Sequence, residues 1–80
     1  MDMRARELLG QKLRWLRFIR HWSQEELAQA SGLHRTYISA IERATCNVGL
    51  DNVEKLALAF GLSVSELFQM EARMPGDKAG

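Results

Sequence analysis

The chain has one cysteine, one proline and no long apolar run, and each shortage excludes a class of protein. A single cysteine, Cys46, cannot form an internal disulfide and offers no metal-ligand spacing. No apolar stretch approaches the roughly 20 residues that cross a bilayer, and the first residues show no signal-peptide pattern. We therefore expect a cytoplasmic protein that binds no metal and no cofactor.

Motifs of catalysis are also missing. The sequence shows no Ser/His/Asp framework and no glycine-rich loop for phosphate, so we expect no enzyme. Charge is nearly balanced, with a net value of +1, but it is unevenly distributed. Residues 1–46 contain eight Lys or Arg against five Asp or Glu, and residues 47–80 contain three against five. The first part is therefore modestly biased towards an anionic partner.

Apolar residues recur at helical spacing almost throughout, and no segment alternates like a strand bounded by turns. These patterns predict an all-α fold with five helices, at about residues 4–20, 24–31, 35–43, 50–60 and 64–70. Inward-facing positions are predicted in the first and fourth helices, at Leu9, Leu13, Leu16, Leu50, Val53, Leu56, Ala57 and Phe60. Pro75 and Gly76 interrupt the last residues, so we expect one domain, residues 1–70, followed by a disordered C-terminal tail, residues 71–80.

Two capping boxes mark the starts of helices. Ser23 is followed by Glu26, and Ser63 by Glu66, at the spacing in which each side chain bonds the other residue's free backbone amide. Gly32 can adopt the left-handed conformation that ends the second helix. Only three or four residues then remain before the third helix begins.

That third helix lies in HRTYISAIER, residues 34–43. Ile38 and Ile41 fall on one of its sides, whereas the polar residues Arg35, Thr36, Ser39 and Arg43 fall on the other. A short turn between two helices is typical of a helix-turn-helix, in which the second helix presents its outer face to the DNA major groove. Arginine can bond guanine O6 and N7, and a threonine methyl can pack on thymine. The alternative is a solvated face on a core helix, which this helix taken alone favours.

Residues 9–68 resemble the Cro and phage-repressor family, often called Xre-type. The resemblance rests on SQEELA, the turn glycine, YIS-x-IER, LA-x-x-x-G-L-S and the final ELF, which occur in order at the family spacing. It implies a five-helix lambda-repressor-like DNA-binding domain with its helix-turn-helix at helices 2 and 3. Within the family, RTYIS-x-IER is most similar to small controller proteins of restriction–modification systems.

The resemblance also implies roles for individual residues. Base edges are assigned to Arg35, Thr36 and Ser39. DNA phosphates are assigned to Gln24, Arg43 and Asn47. The chemistry and position of their side chains add His34 and Tyr37 to the expected phosphate contacts. Arg17 of the first helix and Glu42 of the third match a structural ion pair of the family.

Three positions depart from the family pattern or allow two interpretations. His34 stands where serine or threonine often caps the recognition helix; because imidazole is a poor cap, we expect it to face a phosphate instead. His21 stands where glycine commonly ends the first helix. For Tyr37, a packing role and a hydroxyl contact with phosphate are equally open.

The last helix contains more apolar residues than so short an element needs for its own core. We predict a homodimer formed through helices 4 and 5, with an interface at Leu58, Leu62, Val64, Leu67 and Phe68. A twofold dimer places two recognition helices in successive major grooves, about 34 Å apart, on a pseudo-palindromic operator. The predicted function is a transcriptional regulator, with RNA polymerase as a further candidate partner.

Leu8, Trp15 and Ile19 form an additional apolar stripe on the first helix. Either the C-terminal tail covers this stripe or a partner protein binds it. The second interpretation suits an antitoxin-like module that binds both DNA and a protein, which is the alternative function. Cys46 is either a redox sensor near DNA or incidental. The sequence does not distinguish a repressor from an activator.

Overall fold

Five α-helices follow one another along residues 3–69, the part of the chain that this computed structural model describes. The helices are α1 (Met3–Arg20), α2 (Gln24–Ser31), α3 (Arg35–Glu42), α4 (Leu50–Ala59) and α5 (Val64–Phe68). The predicted all-α fold is confirmed, and the helix ends agree with prediction to within one or two residues. Met70 and the predicted tail, residues 71–80, lie outside the described residues. None of the described helices is long and apolar enough to span a membrane.

Both predicted capping boxes are present. The backbone N–H of Glu26 donates to Ser23 Oγ at 3.0 Å, and the N–H of Ser23 donates to a Glu26 carboxylate oxygen at 2.7 Å. Ser63 and Glu66 repeat this arrangement at the start of α5. These reciprocal bonds satisfy amides that have no partner inside the helix. α2 therefore begins directly after Ser23, and α5 directly after Ser63.

One core lies between the helices. Its buried apolar residues are Leu9, Leu13, Leu16, Leu27, Ile38, Ile41, Val48, Val53, Leu56, Ala57, Phe60 and Leu67. The predicted stripe of α1 is confirmed, but Leu50 is 78% exposed and its predicted inward position is wrong. At this end of α4 the buried apolar residue is Val48, which lies in the preceding loop, before helical spacing begins.

Cationic side chains of α1 bind the C-terminal ends of other helices. The Lys12 ammonium, whose residue is only 1% exposed, donates to the Leu67 carbonyl of α5 at 2.7 Å. Arg20 Nη2 donates to the carbonyl of Phe60, the C-cap of α4, at 2.7 Å. Arg14 Nη1 donates to the carbonyl of Glu42, the last residue of α3. Helix C-termini have unpaired carbonyls and partial negative charge, so each contact is electrostatically favourable.

These contacts account for part of the excess of basic residues in residues 1–46. Four of the eight basic residues in 1–46 are Lys12, Arg14, Arg17 and Arg20, and all four donate to other parts of the protein. Half of the basic residues in this part of the chain therefore bind within the fold. The remaining exposed cations include Arg35 and Arg43 on α3, so the bias towards an anionic partner depends on fewer charges than the sequence distribution suggested.

Glu42 joins three helices at the end of α3. Its carboxylate accepts from Arg17 Nε at 2.7 Å and Arg17 Nη2 at 2.9 Å, so the predicted pair is formed and is bidentate. Gln24 Nε2, at the start of α2, donates to the same carboxylate at 3.0 Å. The pKa of Arg17 is raised, because the hydrogen bonds it donates to Glu42 and the negative charge of Glu42 together outweigh the lowering of the pKa by burial.

Gly10 allows α1 to approach α3 at this point. A Cβ atom on Gly10 would lie 2.7 Å from the Glu42 carbonyl oxygen and 2.9 Å from that of Ile41. These distances are too short for any side chain, so a larger residue would push α1 away from α3. The close approach places Arg14 and Arg17 within reach of Glu42.

Two helices end on a left-handed residue that is not glycine. His21 has φ 57° and Ala44 has φ 60°. In both cases the following N–H bonds back across the turn, from Trp22 to the Arg17 carbonyl at 2.9 Å and from Thr45 to the Ala40 carbonyl at 3.0 Å. This is the Schellman arrangement, in which glycine is the usual residue. The position of His21 thus matches the family glycine in conformation.

Ala44→Gly should stabilise the protein. A left-handed conformation costs an L-residue about 1–2 kcal/mol. Glycine avoids this cost but loses about 0.5–1 kcal/mol of backbone entropy on folding, so we expect the free energy of unfolding to rise by about 0.5–1 kcal/mol. Urea denaturation measures this change. The matched control, Ala40→Gly within α3, should lower stability by about 1 kcal/mol; a loss of stability in Ala44→Gly would contradict the prediction.

Glu42→Gln should destabilise the fold strongly although it preserves the shape of the side chain. The change leaves the Arg17 guanidinium, whose side chain is 19% exposed, without its anion. Loss of one partner from a buried pair costs about 3–5 kcal/mol, and because Arg17 is partly exposed we expect a loss of about 3 kcal/mol. Chemical denaturation of this variant can be compared with Glu54→Gln, an exposed site on α4 where a change within about 0.5 kcal/mol is expected. Equal effects would rule out the central role of Glu42.

Candidate nucleic-acid interface

The two sides of α3 differ as its sequence predicted. Ile38 is fully buried, and Ile41 is buried beside it in the core. Arg35, Thr36 and Arg43 are exposed on the other side, and Ser39 is half-buried. Among residues 3–69, Arg35, Thr36 and Arg43 therefore stay accessible on the polar side, where a DNA groove could reach them.

The turn between α2 and α3 consists of three residues, 32–34. Gly32 has φ +79°, the predicted left-handed conformation, and its N–H donates to the Ala28 carbonyl at 2.9 Å. The next N–H, of Leu33, donates to Ser31 Oγ at 3.3 Å. Two backbone N–H groups of the turn are therefore satisfied by α2, and the turn brings the start of α3 close to α2.

His34 caps the recognition helix, and the prediction that it would not do so is wrong. Its Nδ1 accepts the backbone N–H of Thr36 at 3.0 Å. An sp² ring nitrogen without a proton can accept as a side-chain oxygen does, which explains why imidazole serves here. The proton of the neutral ring must then be on Nε2, which can donate to a phosphate, so the predicted phosphate contact stays compatible with capping.

Gln24 is held in place by Glu42. The Glu42 carboxylate accepts one N–H of the Gln24 amide at 3.0 Å. Because a carboxylate can only accept, the amide nitrogen of Gln24, and not its oxygen, must face Glu42. Among residues 3–69 this nitrogen makes the one bond to Glu42, so its second N–H can donate to an acceptor outside the protein. Sequence reasoning assigned Gln24 to DNA and Glu42 to structure; the geometry links the two roles.

Ser39 and Arg43 are also linked, one helical turn apart. Arg43 Nη1 donates to Ser39 Oγ. The bond holds the Arg43 guanidinium along the exposed side of α3, and it leaves the Ser39 hydroxyl proton able to donate. The predicted base contact and the predicted backbone contact therefore share one cluster.

Tyr37 contacts α4. It is half-buried against the core, and its hydroxyl accepts from Asn52 Nδ2 at 3.1 Å. The hydroxyl proton is not used in this bond, so packing and a phosphate contact are both possible for the same residue. Asn47 is exposed in the loop before α4, where its assignment to the DNA backbone stays a prediction.

Arg35 has a neighbour that sequence reasoning missed. Glu25 Oε1 lies 3.8 Å from Arg35 Nε, and both side chains are largely exposed. They line an open depression of about 640 Å³ between α2 and α3. The pair joins residues ten positions apart on two helices, so no helical spacing rule could have found it.

The predicted dimer interface needs one correction. Leu67 is fully buried and belongs to the core, so it cannot contribute to a contact between subunits. α5 has only five residues, and its one buried residue packs inward while its carbonyl accepts from Lys12. Leu58 is 68% exposed, so it is available for the predicted contact. The remaining predicted interface residues, all half-buried, are Leu62, Val64 and Phe68.

The additional stripe of α1 is only partly covered. Leu8 and Trp15 are half-buried, whereas Ile19 and the neighbouring Phe18 are exposed. The indole nitrogen of Trp15 is buried and has no hydrogen-bond partner among residues 3–69. Because the tail lies outside the described residues, both interpretations of the stripe stay open.

Cys46 is half-buried against the core, in the loop after α3. Its role as a redox sensor is not supported by any contact described above and stays an alternative. Within residues 3–69, no three His, Cys, Asp or Glu side chains come together in a way that could hold a metal ion.

Known proteins share this architecture. The helix-turn-helix family model matches residues 13–67. Control protein C.BamHI of Bacillus amyloliquefaciens is 50% identical over 68 residues, which cover 84% of each chain. A protein of Neisseria meningitidis serogroup B named as a hypothetical transcription factor is 47% identical over 66 residues, or 82% of this chain; that alignment spans 60% of the Neisseria protein.

A solved structure extends the similarity to a DNA complex. The tetramer of the restriction–modification controller protein C.Esp1396I in complex with its natural 35 base-pair operator has a TM-score of 0.75 and 31% identity, covering 81% of this chain and 86% of that one. Fold, motif order and these relatives agree. The chain therefore belongs to the helix-turn-helix family of Cro and phage-repressor (Xre) type.

Proposed function

We propose that this protein is a sequence-specific, DNA-binding transcriptional regulator of the restriction–modification controller type. The observation that supports this most directly is the one-sided burial of α3. Ile38 and Ile41 are in the core, whereas Arg35 and Thr36 are exposed at the start of α3, directly after the turn. Relatives named as control proteins, one of them in complex with its operator, support the same conclusion.

Base recognition would use the first turns of α3. In a helix-turn-helix, the N-terminal residues of the second helix contact base edges. Arg35 is the first residue of α3 and can bond a guanine through O6 and N7, while Thr36 can contact a thymine methyl. Ser39, one turn later, can donate its hydroxyl proton to a base acceptor.

Phosphate contacts would fix the position of α3 in the groove. Gln24 begins α2, where free amides and the helix dipole favour an anion, and its oriented amide adds a donor. His34 supplies Nε2–H, and Tyr37 supplies a hydroxyl proton. Arg43 and Asn47 would extend these contacts beyond the end of α3.

Two copies would act together. One recognition helix reads only a few base pairs, so a twofold dimer is needed to read a pseudo-palindromic operator. Leu58, with the half-buried Leu62, Val64 and Phe68, provides an apolar surface on α4 and α5 for this contact. The bound dimer would act in the cytoplasm by excluding or recruiting RNA polymerase. The relatives do not favour the antitoxin-like alternative.

Arg35→Ala and Gln24→Ala should weaken DNA binding in different ways. Arg35→Ala should cost about 1–3 kcal/mol on the preferred duplex and relax selection at one base pair, whereas Gln24→Ala should weaken all duplexes similarly. Fluorescence anisotropy on preferred and scrambled duplexes measures both effects. Arg4→Ala, which removes an exposed charge at the start of α1, is the control. An equal loss on both duplexes for Arg35→Ala would refute base reading.

If the wild-type protein is a dimer, selection from random duplexes should yield two half-sites about one helical turn apart. Leu58→Glu should disrupt this dimer. In sedimentation, Leu58→Glu should raise the dimer dissociation constant about tenfold or more, because a charge is placed in an apolar contact. Leu50→Glu is the matched control, since Leu50 is also exposed, at 78% against 68% for Leu58, but lies outside the proposed interface. A wild-type monomer at tens of micromolar, together with single half-sites, would contradict the dimer.

A further inference from the structure

Glu25 and Arg35 meet across the turn of the helix-turn-helix. Glu25 is the second residue of α2, and Arg35 is the first residue of α3. The Glu25 carboxylate oxygen Oε1 lies 3.8 Å from Arg35 Nε, with the side chains 68% and 56% exposed, respectively. An exposed pair of this kind contributes little to stability. We therefore consider how the pair affects the position of the Arg35 guanidinium.

The contact uses the proximal nitrogen of the guanidinium. Arginine donates through Nε and through two terminal nitrogens, and it reads guanine with two parallel bonds to O6 and N7. A carboxylate at Nε leaves both terminal nitrogens for the base. We propose that Glu25 is a positioning residue that orients Arg35 for guanine and so increases the specificity of DNA binding.

Local electrostatics give Arg35 a reason to need this partner. The positive end of the helix dipole lies at the start of α3, where a cation is unfavourable. α3 has no acidic residue in its first turn, whereas α2 has Glu25 and Glu26 there. Glu26 is used in the capping box with Ser23. Glu25 is therefore the acid that offsets the repulsion between Arg35 and its own helix end.

The same carboxylate opposes binding to unrelated sequences. Sequence-independent affinity comes from the attraction between cations and phosphates, and a negative charge at the interface reduces it. On a preferred sequence, the bonds of the oriented Arg35 to guanine compensate for the repulsion between Glu25 and the phosphates. On an unrelated sequence these bonds are not formed, so the repulsion is not compensated. Glu25 should thus widen the difference between preferred and unrelated DNA. This inference rests on the proposed DNA-binding function.

The test compares three variants on the strongest duplex from random selection and on a scrambled duplex of the same composition. Glu25→Gln should raise affinity for the scrambled duplex and lower the specificity ratio about two- to fivefold. Glu25→Asp keeps the charge but shortens the side chain, so the ratio should fall while scrambled binding stays unchanged. Glu54→Gln removes one charge from the exposed side of α4 and should leave the ratio unchanged.

A double-variant cycle isolates the role of Arg35. If Glu25 acts through Arg35, then Glu25→Gln should no longer lower the ratio once Arg35→Ala is present. An unchanged ratio in Glu25→Gln, the same fall with and without Arg35, or an equal fall in Glu54→Gln would overturn the inference. Wild-type protein that bound no duplex would instead refute the proposed function itself.

Discussion

A single buried carboxylate, that of Glu42, joins the helices that a DNA-binding surface requires. It lies at the end of α3, receives two bonds from Arg17 of α1, and receives one from Gln24 at the start of α2. Its backbone carbonyl accepts from Arg14, at the place where Gly10 lets α1 approach. Removal of this charge would leave an unpaired guanidinium and loosen α3 relative to α2.

This arrangement has a direct consequence for recognition. The proposed base contacts are on α3 and a proposed phosphate contact is on α2, so their spacing must match that between a base edge and the DNA backbone. Glu42 fixes this spacing because it holds α3 through its own backbone and Gln24 through its side chain. The ion pair of the family is therefore more than a brace for the core: it also orients a residue at the surface.

Half of the basic residues in residues 1–46 hold the helices together. Lys12, Arg14 and Arg20 bind carbonyls at the ends of α5, α3 and α4, which positions three helices against α1. On the exposed side of α3, Arg35 and Arg43 are the cations, and Arg35 has an acid beside it. A surface of this kind favours discrimination over general attraction to DNA, because fewer phosphates are neutralised.

Local chemistry explains what the amino-acid sequence alone determined. The capping boxes at Ser23 and Ser63 act within four residues, so they set the starts of α2 and α5 independently of how the helices pack. Helical spacing likewise predicted that Ile38 and Ile41 would be buried opposite Arg35. The family motif, rather than spacing, identified the Arg17–Glu42 pair.

Only the tertiary structure decided which helix surface meets which neighbour. Lys12 is buried because the end of α5 lies over it, and Leu67 is in the core because α5 packs with that side inward; neither fact follows from the spacing within one helix. Leu50 is exposed because Val48 from the preceding loop is the residue buried there. Glu25 meets Arg35 only across the folded turn, since contacts between helices depend on their relative placement, which no local pattern encodes.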